Sequence, residues 1–126
     1  MKPTILALAA ALSLAPVVGF AHGQAPQATH GGQVQDAHGG WVELVIDGDG
    51  LSVYVTDEHG NPVPASQVSG TATVLIGSQP HKVRLAPAEG NELTGKLPAA
   101  VSGKTVATVS LKIGGKPASA RFANGG

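Results

Sequence analysis

The stretch "WVELVIDGDGLSVYVTD", residues 41 to 57, constrains this chain more than any other. Two apolar, β-branched runs flank Asp47-Gly48-Asp49-Gly50, the kind of turn whose twist matches that of antiparallel strands. Pairing around it sets Val45 opposite Ser52 and Val42 opposite Val55. The same pattern continues along the chain: short runs at 33–36, 71–77, 81–87, 91–98, 104–113 and 117–123, separated by glycine and proline. In "TVATVSLKI", Ala107, Val109, Leu111 and Ile113 alternate with Thr108, Ser110 and Lys112, the period of a half-buried strand. Residues 60–70, "GNPVPASQVSG", are too long for a tight hairpin and suit a crossing between sheets. No ten-residue stretch beyond the amino-terminal segment carries a helical period. Seven or eight short strands with regular turns predict an all-β fold, an antiparallel immunoglobulin-like β-sandwich over residues 33–123. Aromatics are few, so Trp41 and Phe122 are expected as its large core fillers.

Residues 1–21 read differently. Lys2 precedes an apolar run from Ile5 to Leu14, and the small residues Gly19 and Ala21 fit cleavage after Ala21. A cut after Ala25 is disfavoured by Pro26. That is the pattern of a secretory signal peptide, and the run is too short for a membrane span. Residues 22–32 then form a flexible lead-in containing His and Gly, small and polar. The implied location is the periplasm. Loss of Lys2 leaves the chain within one charge of neutrality, with no basic run, so nucleic acid, anionic membrane and membrane insertion are not expected. There is no cysteine, and the one methionine is Met1. Thiol catalysis and sulfur ligation are thereby excluded, and any metal site must use imidazole, carboxylate or backbone.

The histidines carry the chemistry. Four of the five, His22, His30, His38 and His59, are followed directly by glycine, and His30 and His38 open identical His-Gly-Gly triplets. Extending the hairpin register puts His38 beside His59, with Asp57 and Glu58 near, a cluster of two imidazoles and two carboxylates at one pole. If 33–36 pairs with 41–46, His30 falls at the other pole, near Asp47 and Asp49. Cleavage after Ala21 would give His22 a free α-amine beside its imidazole, a chelate suited to Cu(II). His22, His30, His38 and His59 are the candidate metal ligands, for Cu(II) or Zn(II); His81 opens a predicted strand and is left open. The plainer reading is that glycine follows histidine because the chain turns there. No Gly-x-Ser-x-Gly and no carboxylate pair in an apolar setting appears, so no enzyme is expected.

His30-Gly31-Gly32, Glu43-Leu44-Val45, Leu51-Ser52-Val53-Tyr54 and Glu58-His59-Gly60-Asn61-Pro62-Val63 resemble the motifs of small periplasmic proteins of heavy-metal-resistance loci. They are also similar to the N-terminal extension of periplasmic adaptor subunits of heavy-metal efflux pumps. The resemblance spans about residues 30 to 122; the His38 triplet has no counterpart in it. It implies a β-sandwich, metal handling in the periplasm, a role for His30, and an efflux pump or its adaptor as partner. The expected function is a divalent metal-binding protein, a copper or zinc buffer, chaperone or efflux accessory. The alternative is a metal-independent β-sandwich interaction module of the cell envelope.

Overall fold

The computed structural model of the chain describes residues 26–101 and 105–124. The signal-peptide and His22 expectations fall outside these residues. The described chain is all-β: β1 (Gln33–Ala37), β2 (Gly40–Asp47), β3 (Gly50–Asp57), β4 (Val68–Ile76), β5 (Gln79–Pro87), β6 (Glu92–Lys96), β7 (Thr105–Ile113) and β8 (Lys116–Asn124). Every pairing is antiparallel, in the order β1-β2-β3-β6-β5-β4-β7-β8. Among the described residues the only helical element is a 3-10 turn at Ala65–Gln67, inside the connection that carries the chain from β3 across to β4.

The hairpin register is the one the turn dictates. Val42 faces Val55, Val45 faces Ser52, and Asp47 closes on Gly50. The continuous strand order folds into two layers at β5. Residues 79–85 of that strand pair with β4, whereas Ala86 and Pro87 pair with Thr94 and Leu93 of β6. One layer is therefore β1-β2-β3-β6 and the other β5-β4-β7-β8.

Side chains of a strand alternate between faces, so each layer buries every second residue. Val42, Leu44, Val53, Val55 and Leu93 of the first layer meet Ala72, Val74, Val109 and Phe122 of the second. Each large aliphatic buried in this way contributes about 1.5–3 kcal/mol relative to exposure. Phe122 is a core filler as the sequence suggests. Trp41 is not. It is half-buried and stands on the outer face of β2, opposite Asp36 and Thr56, because the inward positions of that strand are Val42 and Leu44. The alternation period assigns a tryptophan to a face by its register, whatever its hydrophobicity.

Candidate functional site

The outer face of the first layer would ordinarily be solvated. Here the chain before β1 returns over it. β1 leaves its ladder with β2 at Gln33, opposite Leu44, and residues Thr29 to Gly32 turn aside onto the sheet. Continuing the ladder would have carried His30 towards Asp47 and Asp49. Instead its ring lies flat on Tyr54, with centroids 3.6 Å apart and planes within 2°. That corrects the polar position expected for His30. The physical reason is Glu43, one strand position from the core residues Val42 and Leu44 but pointing outward, directly across from Tyr54.

Glu43 is the acceptor that gathers the turn. Its Oε2 receives the backbone N–H of His30 at 2.8 Å and of Gly32 at 3.0 Å. Its Oε1 receives the Thr29 N–H at 3.3 Å and the Thr29 hydroxyl at 3.4 Å, and lies 3.0 Å from His30 Nδ1. The covering segment leaves the Glu43 side chain only 7% exposed. Burial pushes its pKa up, but the His30 ring and the N–H groups of Gly32, His30 and Thr29 outweigh burial and hold it below the usual carboxylate range. An ionised carboxylate only accepts hydrogen bonds, so His30 Nδ1 carries the proton between them. The other ring nitrogen, Nε2, is left with the lone pair when the ring is neutral, on a side chain 41% exposed. Tyr54, the platform beneath, donates its hydroxyl to Glu92 at 3.2 Å. Burial first, then the Glu92 carboxylate, push that phenol up. Trp41, Val34 and Asn91 complete a shallow cleft around the His30–Glu43 pair.

The two glycines of His30-Gly31-Gly32 have separate reasons. Gly31 takes φ +79°, which a side chain would strain, while a Cβ on Gly32 would strike the Leu44 carbonyl. His38-Gly39-Gly40 repeats both: Gly39 has φ +91°, and a Cβ on Gly40 would meet the Thr56 carbonyl. Gly60, after His59, has φ +86°. All three described His-Gly pairs are thus turns, and the triplet is a backbone solution used twice.

The remaining candidates are more scattered than the hairpin register suggests. Both loops do leave the same end of the β2–β3 ladder, which finishes at Gly40 and Asp57. The β1–β2 tip, however, leans over the second layer, and His38 lines a concavity with Ser110, Leu111 and Pro117 to Ser119. Residues 58–60 curl back on β3 through a Thr56–Pro62 bridge. Asp57 Oδ1 accepts the N–H of His59 and of Asn61, each at 2.9 Å. Those bonds, Asn61 foremost, hold its carboxyl below the usual range. The His59 ring is 75% exposed and only 3.9 Å from Glu58, itself 73% exposed. His81 is half-buried in β5, opposite Val74. Among the described residues, no three of His, Cys, Asp and Glu form a group that could hold a metal ion by themselves.

Glu43 and Tyr54 are the residues sequence reasoning passed over. Their signal was present: a carboxylate in the middle of the apolar run "WVELVI", in a hairpin whose register puts it against a tyrosine. No family model, no curated protein and no solved structure matches the chain.

Proposed function

We propose that the protein is an exported carrier of Cu(II) or Zn(II) in the cell envelope, serving heavy-metal efflux, with His30 as its anchoring ligand. The observation that carries this reading is the His30–Glu43 pair. A carboxylate that holds one imidazole nitrogen orients the ring, fixes its tautomer and makes the other nitrogen a better ligand. Stacking on Tyr54 removes the ring's remaining freedom, so little entropy is lost when Nε2 binds. One fixed imidazole is an incomplete site. Water, and the amino terminus and ring of His22 in the exported chain, supply chemically suitable further donors. Such an open site exchanges metal readily, which suits delivery more than structural binding. His38 and His59 are secondary donors, each in its own loop.

The test is titration of the purified protein, without an affinity tag, with Cu(II) and Zn(II). His30→Ala is expected to lower affinity by about tenfold or more, and Glu43→Gln by about 10–100-fold. His38→Ala and His59→Ala leave it nearly unchanged. If His38→Ala and His59→Ala abolish binding while His30→Ala does not, the anchoring role belongs to the other loops. If the protein takes up neither metal, the metal-independent interaction module replaces this reading.

A further inference from the structure

Counted along the chain, the charges are sparse and balanced, eight basic against eight acidic. The fold sorts them. Every carboxylate, from Asp36 to Glu58 and then Glu89 and Glu92, belongs to β1, β2, β3, β6 or the loops that join them to the chain. Among the described residues, Lys96 is the one cation of that layer, 3.6 Å from Asp49. Lys82, Arg84, Lys112, Lys116 and Arg121 all belong to the second layer.

Register then places four of those cations on one face. Ala72, Val74, Ala107, Val109, Ala120 and Phe122 point inward, so their neighbours point out. Across the four strands, Lys82, Thr73, Thr108 and Arg121 form one row. Arg84, Thr71, Ser110 and Ser119 form the next, and Lys112 stands beside Ser69 and Pro117 in the third. Lys82, Arg84, Lys112 and Arg121 are all exposed. At strand spacings of about 4.8 Å the face is about 14 Å wide, with hydroxyls short enough to leave the cations standing above them. At the end beyond Lys82 and Arg121 the outward residues turn apolar: Leu75 opposite Pro80, and Val106 opposite Ala123.

From this face we infer that the protein docks peripherally on an anionic lipid surface through β5-β4-β7-β8. The inference stands apart from the metal reading. The face carries no Trp, Tyr or Phe, and the one imidazole beside it, His38, lines a concavity with Ser110, Pro117 and Ser119 at its β7–β8 side. No row of rings is therefore offered for successive nucleobases to stack on. Protein interfaces are built on buried aromatic anchors and are depleted of lysine at their centres, the reverse of this surface. A planar array of phosphates needs only spaced cations, and the apolar end row can rest at the headgroup boundary. The acidic layer faces away from the lipid, so the neutral chain binds with a defined orientation. His30 and its cleft, on that opposite layer, stay open to solution.

The experiment is sedimentation of the purified protein with vesicles of phosphatidylglycerol in phosphatidylcholine, in the presence of a metal chelator. Each cation near the surface is expected to change partitioning about fivefold. The double variant Lys82→Gln/Arg121→Gln therefore loses roughly 25-fold, Lys96→Gln is unchanged, and added salt releases the protein. The inference is overturned if anionic vesicles hold no more protein than pure phosphatidylcholine, or if Lys96→Gln weakens binding as much as the double variant. Retention by duplex DNA or polyglutamate, with the vesicles ignored, also overturns it. Because chelator is present throughout, failure here leaves the metal titration untouched.

Discussion

At Thr29–Gly32 and again at Glu58–Asn61, a strand carboxylate accepts backbone N–H groups from a His-Gly turn. In both, the glycine takes a positive φ and the carboxyl is held below its usual range. The fate of the imidazole differs. Glu43 sits mid-strand on the face of a sheet, with Tyr54 directly across, so the turn it gathers lands on a platform and the ring is stacked and bonded. Asp57 is the last residue of its strand. The turn after it curls back so that Gly60 reaches the edge of the His30 cleft, but the His59 ring finds no platform and projects into solvent. The two turns share a local device; the sheet beneath one of them makes a site.

The largest expected effect that separates them is loss of the carboxylate. Glu43→Ala removes the acceptor for three backbone N–H groups and a ring at once. It is expected to destabilise the protein by about 1–3 kcal/mol, towards the upper end because the bonds are charge-assisted. Amide hydrogen exchange at His30 and Gly32 should lose its protection. Asp57→Ala should expose the His59 and Asn61 amides with a visibly smaller drop in thermal midpoint. Equal drops in the two variants would erase the distinction.

Acid is the next lever. The folded Glu43 carboxyl titrates below its unfolded value, so the unfolded chain binds the proton first. The stability it contributes is present above the ordinary carboxylate range, about pH 4.3 for glutamate, and is lost as pH falls through the lower folded value. Trp41 fluorescence, reporting from the same cleft, should change in that acid window in the native chain. The Glu43→Gln variant should lack the transition. A transition that survives Glu43→Gln would assign it to another carboxyl.

Gly31→Ala and Gly60→Ala strain the two turns in the same way, with a smaller effect. Both positions have positive φ and open space around them, so each should cost about 1 kcal/mol of backbone strain. Only Gly31→Ala should also weaken metal affinity, since it disturbs the ring that Glu43 holds. The smallest effect belongs to His59→Ala, which should alter neither stability nor affinity measurably. Gly60 lines the edge of the His30 cleft, so a loss of affinity in Gly60→Ala as large as in Gly31→Ala would make the second turn part of the metal site.

Much of this protein was legible from residues alone. The Asp47–Gly50 turn, with apolar runs on both sides, set the β2–β3 register residue for residue, because a two-residue turn leaves no freedom in pairing. Period-two alternation marked β7, and the scarcity of aromatics pointed to Phe122 as a core filler, which it is. The glycines after His30, His38 and His59 announced turns, and turns they are. Tertiary structure decided the rest. Alternation shows which side chains leave the core, but not which of them a returning segment then covers. Glu43 and Tyr54 gain their importance only when Thr29–Gly32 folds over them. Trp41 is a separate case: register turns it outward because Val42 and Leu44 take the inward positions, against what its hydrophobicity suggests. His30 left its expected pole because five polar contacts to one buried carboxylate outweigh continuation of a short ladder. The cationic face likewise exists only in the fold. Lys82, Arg84, Lys112 and Arg121 are spread over forty residues, and only cross-strand pairing through β4 and β7 brings them to one side.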